Sequence, residues 1–95
     1  MEKFEFEWNI EKANQNLIKH NVSFEEAMSV WEDEYATLFY DNKNSDFEDR
    51  YIFIGYSNKN NLLLISFTQR DNKYRIISSR KATSQERKNH ERYIK

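Results

Sequence analysis

Arg50-Tyr51-Ile52-Phe53-Ile54-Gly55-Tyr56-Ser57 is followed by Asn58-Lys59-Asn60-Asn61 and then by Leu62-Leu63-Leu64-Ile65-Ser66-Phe67-Thr68. Two runs rich in aromatic, β-branched and aliphatic residues thus flank four polar ones. The first run alternates Tyr51, Phe53 and Gly55 with Ile52, Ile54 and Tyr56, the period of two that marks a strand. The second is almost continuously apolar, as in a strand covered on both faces. Asn58–Asn61 reads as the turn between them. Asp71-Asn72-Lys73 is a second turn signal, and Tyr74–Arg80 a further strand. Loops this short make the three strands an antiparallel meander.

Working outward, Tyr35–Tyr40 is a strand and Asp41–Asp49 a polar loop. At the start of the chain Phe4, Phe6 and Trp8 alternate with Glu5 and Glu7, which predicts a short amphipathic strand. Asn9 is a good cap for a helix over 10–20. Ile10, Ala13, Leu17 and Ile18 form its apolar stripe, with Lys12, Asn16 and Lys19 opposite and His20 between the two faces. Asn21 can take the left-handed conformation that ends a helix. Ser23 and Glu26 have capping-box spacing, and Phe24, Ala27, Met28 and Trp31 follow at i, i+3, i+4 and i+7. Thr83 and Glu86 repeat the box and open a helix to the end of the chain. That helix is polar except for Tyr93 and Ile94, so deep burial is not expected to hold it, and His90 is expected in solvent. The order βααββββα predicts an α+β fold, an antiparallel sheet with two N-terminal helices and one C-terminal helix.

The 95 residues predict one domain, spanning 1–95. A chain without cysteine has no disulfides, iron–sulfur clusters or thiolate zinc sites. The start, Met1-Glu2-Lys3-Phe4, lacks the basic and apolar regions of a secretory signal. No apolar run approaches the roughly 18 residues of a membrane span. A cytoplasmic protein without a membrane partner is the expectation. The net charge of −1 hides a polarity. Residues 1–49 hold four Lys against 13 Asp and Glu, a net −9, and residues 50–95 hold 11 Lys and Arg against three acids, a net +8. A basic second half suits a polyanion, although the halves can also neutralise each other across the fold.

With one glycine there is no Gly-rich phosphate loop. The candidate chemistry rests on His and Arg. His20, at a helix end beside Lys19, is a candidate for proton transfer, although its position alone favours a simple complement to the helix dipole. All six arginines lie in residues 50–95, and Arg binds phosphate bidentately while staying charged. Strand alternation places Arg75 and Arg80 on opposite faces unless a bulge intervenes. Each has the alternative of a structural ion pair with the acidic half. Glu48 and Asp49 lead directly into Arg50, and Glu48 is a candidate to orient His20 or act as a base. Two unspaced histidines do not predict a metal site, and no cofactor is expected.

Phe6-Glu7-Trp8, Lys12, Asn16, Lys19-His20 and Val22-Ser23-Phe24-Glu25-Glu26-Ala27 resemble the N-terminal signature of the BrnT toxin family. Asp41, Glu48-Asp49-Arg50, Ile54-Gly55-Tyr56-Ser57, Arg75-Ile76-Ile77-Ser78, Arg80-Lys81-Ala82-Thr83 and Glu86-Arg87 resemble the remainder, in order. The chain departs from that pattern at Asn9-Ile10, where the family often has Asp-Pro, and at Asn21, where it has Gly. It departs also at Asn44, where a His is common, and at His90, where a Tyr is common.

The resemblance implies a RelE-like fold and a type II toxin that cleaves RNA and arrests translation. It implies neutralisation by a BrnA-like, DNA-binding antitoxin, with two toxins on an antitoxin dimer that also binds operator DNA. The expected reaction is metal-independent attack by a ribose 2′-OH, leaving a cyclic phosphate and a 5′-OH. His20, Glu48, Arg50, Arg75 and Arg80 are the candidate catalytic residues. Lys19, Lys81 and Arg87 are the candidates for RNA binding. The alternative is a non-catalytic RNA-binding or partner-docking module, which the basic half supports equally well.

Overall fold

The computed structural model describes residues 4–94. Its elements follow the expected order. β1 is Phe6–Glu7, α1 Ile10–His20 and α2 Phe24–Met28, with a tighter 3-10 turn at Ser29–Glu32. Then come β2 (Thr37–Tyr40), β3 (Arg50–Tyr56), β4 (Leu62–Arg70), β5 (Lys73–Lys81) and α3 (Ser84–Tyr93). The five strands lie in the order β1-β5-β4-β3-β2. β2 to β5 pair antiparallel, as expected, but β1 joins β5 in parallel, so the sheet is mixed.

Asparagine does much of the work usually given to glycine. Asn21 ends α1 at φ 55°. Asp71 and Asn72, at φ 50° and 67°, make the two-residue turn between β4 and β5. Both central residues of such a turn need positive φ, and the short side chains of Asp and Asn tolerate it.

One face of the sheet carries the core. Val22, Phe24, Ala27 and Val30 are fully buried against Leu63, Ile65 and Ile76. Each large apolar side chain removed from water contributes roughly 1.5–3 kcal/mol. Trp31 packs on Phe6, Phe53, Phe67 and Tyr74, with ring centroids 4.6–5.4 Å away. Gly55 lies on this face: a Cβ there would sit 2.8 Å from both Ala36 Cβ and Val30 Cγ1. Only a residue without a side chain lets the chain around Val30–Ala36 approach β3 so closely.

α1 packs differently from the expected stripe. Ile10, Leu17 and Ile18 face solvent, while Asn16 is buried. The reason lies at the sheet edge. β1 stops at Glu7, so β5 has no neighbouring strand further along. Asn16 takes that place: its Nδ2 donates to Ser79 O (2.8 Å) and Val22 O (2.9 Å), and its Oδ1 accepts from Ser79 N (3.1 Å). A buried amide with these partners is satisfied, whereas an aliphatic residue there would leave the Ser79 backbone orphaned. The Ser23 box is also only half made. Ser23 Oγ accepts from Glu26 N, but the buried Glu26 carboxylate turns away to accept from Ser57 Oγ (2.6 Å) and Asn61 Nδ2 (2.9 Å) in the β3–β4 turn.

α3 covers part of the opposite face. Its capping box is complete, with Thr83 Oγ1 accepting from Glu86 N and Glu86 Oε1 accepting from Thr83 N. His90 is buried at 4% exposure rather than solvated, its ring 6.1 Å from that of Tyr56. The helix is thus held by polar and aromatic contacts along Glu86, Arg87 and His90, positions that share a face although none is aliphatic. None of the described helices is long and apolar enough to cross a membrane.

Candidate functional site

On the face opposite the core, register aligns a row of polar side chains at one end of the sheet. Arg50 on β3 is opposite Thr68 on β4, Thr68 is opposite Arg75 on β5, and Arg75 is opposite Glu7 on β1. Directly paired residues project to the same face, so the two arginines flank Thr68. The Thr68 hydroxyl is buried and donates to Asp49 O at 2.6 Å.

A bulge sets this arrangement. Ser66 pairs with Ser78, but Phe67 pairs with Ile76, so Ile77 is the extra residue on β5. The simple alternation that separated Arg75 from Arg80 is thereby reversed: both project to the outer face. They pair with Thr68 and Leu64, four residues apart on β4, which sets them roughly 13 Å apart.

Their surroundings differ. Arg80 Nη1 and Nη2 donate to Glu86 Oε1 (2.8 Å) and Oε2 (2.9 Å), a two-pronged ion pair anchoring α3. The hydrogen bonds from Arg80, opposed by partial burial and assisted by Thr83 N–H, lower the Glu86 pKa to about 2. The same pair raises that of Arg80. Arg75 makes one 3.2 Å bond to Glu7, which leaves donors of its guanidinium open. The Arg50 guanidinium enters none of the ion pairs among the described residues.

Glu48 stands beside Arg50. Arg70 Nε and Nη2 grip both its oxygens at 2.9–3.0 Å, fixing the carboxylate at the sheet end. Glu48 and Arg50 line a cleft of about 210 Å3 with Lys43, Asn44, Asp46 and Phe47. Glu48 also borders a second, polar cleft of about 410 Å3 with Asp49, Thr68 and Gln69.

Of the five candidate catalytic residues, Glu48, Arg50 and Arg75 therefore gather at one end of the outer face. Arg80 is on the same face but engaged by Glu86. His20 does not join them. It ends α1, on the core side of the sheet, one turn beyond the Asn16 that is tied to Ser79 near the far end of β5. Lys19 is exposed beside it, and Lys81 is exposed at the end of β5. Arg87, on α3, lies over the Tyr56 ring at 6.0 Å and donates to its hydroxyl at 3.3 Å. Sequence reading missed Lys43, Phe47, Thr68 and Arg70. The one visible signal was an isolated aromatic, Phe47, in an otherwise polar loop. Among the described residues no three His, Asp or Glu side chains are grouped as metal ligands.

The family model described as ribonuclease toxin, BrnT, of type II toxin-antitoxin system matches residues 8–86. The chain belongs to the BrnT family. Its fold is similar to that of the Brucella abortus ribonuclease toxin BrnT, solved by crystallography at 1.1 Å. The similarity has a TM-score of 0.66 at 21% identity and covers 86% of this chain and 100% of the other. No curated protein matches the chain. The BrnT match runs from just after β1, through α1, to the start of α3, and so includes His20, Glu48, Arg50, Arg75 and Arg80. As a BrnT-family member the chain is placed among ribonuclease toxins, with RNA as substrate class and an antitoxin as partner.

Proposed function

We propose that this BrnT-family toxin is a metal-independent endoribonuclease that cuts RNA lying across the open end of the outer sheet face. The carrying observation is the alignment of Arg50, Thr68 and Arg75 on that face with Glu48 beside them. A ribose 2′-oxygen attacks the adjacent phosphorus while the bond from phosphorus to the 5′-oxygen breaks. The products are a 2′,3′-cyclic phosphate and a 5′-OH. The 2′-OH proton leaves to a base, for which Glu48 is the best placed carboxylate, and the departing 5′-oxygen takes up a proton.

The charge that builds on the non-bridging oxygens falls to Arg50 and Arg75. A fixed donor aimed only at such charge is worth about 10²–10³-fold in rate, the role assigned to Arg50, while Arg75, partly offset by Glu7, contributes less. A reaction served this way needs no metal for charge neutralisation. Arg80 acts indirectly by holding α3, and Arg87 on that helix extends the basic surface of the outer face, whereas Lys19 and Lys81 lie on the core side of the sheet, away from this RNA path. RNA cleavage in the cytoplasm then arrests translation. A BrnA-like, DNA-binding antitoxin neutralises the toxin, two toxins sitting on an antitoxin dimer.

The test is cleavage of a defined RNA in EDTA, with the product ends identified. Cyclic phosphate and 5′-OH ends, undiminished by EDTA and lost in Arg50→Ala, are expected. Binding without cleavage would favour the non-catalytic alternative, and abolition by EDTA would require a metal. Growth arrest on expression, relieved by the neighbouring antitoxin gene, tests the partner.

A further inference from the structure

The loop between β2 and β3 turns its polar groups inward. Ser45 Oγ donates to Asp41 O (2.6 Å) and accepts from Arg50 N (3.0 Å). Asn44 Nδ2 donates to Asp41 Oδ2 (2.9 Å), the Tyr40 hydroxyl donates to Asp49 Oδ1 (2.9 Å), and Arg70 holds Glu48. The loop is thus braced on either side of Asp46 and Phe47. Yet at its centre the Phe47 side chain is fully exposed, at 102%. The other exposed phenylalanines, Phe4 and Phe39, lean on Tyr74 and Tyr93. Phe47 belongs to no aromatic pair among the described residues. The ring therefore gains nothing from burial on folding, and no aromatic contact among the described residues accounts for its position.

What surrounds the ring indicates what it receives. The same cleft holds two cations, Lys43 and Arg50, and two carboxylates, Asp46 and Glu48, of which Glu48 is already paired with Arg70. At about 210 Å3 it is smaller than the roughly 300–1,000 Å3 of pockets that enclose a whole small molecule. It therefore fits part of a chain passing over the surface. A flat apolar face beside cations is the arrangement that binds single-stranded nucleic acid: bases stack on the ring and phosphates meet the charges.

We propose that Phe47 is a base-stacking platform, and that with Lys43 and Arg50 it forms a nucleotide subsite that takes one unpaired RNA base next to the scissile phosphate. This rests on the ribonuclease reading and deepens it. Stacking on a phenyl ring tolerates any base, so the subsite selects single-stranded RNA over duplex rather than one sequence. The hydrogen bonds on either side of Phe47 position its backbone before RNA arrives, which lowers the ordering cost of binding.

The test uses the full chain and a 2′-O-methylated single-stranded oligonucleotide carrying 2-aminopurine, which binds without being cut. Wild type is expected to quench the fluorophore. Phe47→Ala and Phe47→Leu are expected to lose the quench and bind about 5- to 100-fold more weakly, while Phe47→Trp restores both. Lys43→Ala is expected to weaken binding at low salt with the quench retained at saturation. Because the ring is fully exposed, the variants should fold, which circular dichroism checks. Equal affinity of Phe47→Ala and wild type overturns the subsite, as does the absence of binding by wild type. Phe47→Ala that binds the oligonucleotide normally but loses its antitoxin also overturns it and assigns the ring to the protein partner. Phe47-dependent quenching in a chain that cuts no RNA supports the subsite and removes the ribonuclease reading instead.

Discussion

The outer face of the sheet has two ends that use the same residue type in opposite ways. At the end covered by α3, Arg80 meets Glu86 through two short bonds and serves the fold. At the open end Arg70 is likewise engaged, by Glu48, but Arg50 stands outside every ion pair among the described residues and lines a cleft. Arg75 is intermediate, with one 3.2 Å contact to Glu7. An arginine is therefore not a site residue by type or by strand position. What decides is whether a carboxylate from a neighbouring element reaches it first.

The largest effect that could break this contrast is on activity. Arg50→Ala should lower the rate of RNA cleavage about 10²–10³-fold. Its melting temperature should stay close to wild type, as for a surface change of about 0.5 kcal/mol or less. A large loss of stability instead would place Arg50 with the structural arginines. Arg75→Ala should cost less, about tenfold in kcat/KM, because Glu7 already offsets part of its charge; that is below the full worth of a donor aimed only at the transition state.

Arg80→Ala should invert the pattern. It breaks a partly exposed ion pair of good geometry, worth close to 1 kcal/mol at the upper end for such pairs. For a domain of this size that lowers Tm by about 4–8 °C. Cleavage measured well below Tm should change by less than about threefold. A hundredfold loss of cleavage with Tm unchanged would make Arg80 a site residue.

Acid sharpens the same comparison. Glu86 has its pKa lowered from 4.5 to about 2, so folding favours its ionised form. The stabilisation is complete above pH 4.5 and disappears as the pH falls toward 2. Between those limits wild type should lose more of its Tm than Arg80→Ala, which lacks the pair. Parallel curves would show that the pair contributes nothing to acid stability. The smallest effect is expected for His20→Ala, on the other side of the sheet, with cleavage within about twofold. A rate loss of a hundredfold there, with the fold intact, would return His20 to the site.

Much of this molecule follows from local chemistry. The order of elements, the caps at Asn9, Ser23 and Thr83, the left-handed Asn21 and the turn at Asp71-Asn72 depend on neighbours in sequence, so the chain declares them. Family membership is likewise carried by residues in order along the chain. Three features depended on contacts between distant segments. The short β1 left an edge of β5 for Asn16 to satisfy, which turned α1 so that Ile10, Leu17 and Ile18 face solvent. The bulge at Ile77 rotated Arg75 to the face of Arg80. Packing of α3 on Tyr56 buried His90.

The candidate site divides in the same way. That arginines, Glu48 and a helix-end His20 were available was written in the sequence, because charge and hydrogen-bonding capacity belong to residue types. Which of them share a surface was a matter of strand register, and one extra residue in β5 reverses a face without leaving a mark in composition or period. Glu86 engages Arg80 while Arg50 stands open because helix packing delivers one carboxylate and not another, a choice made only when the chain closes on itself.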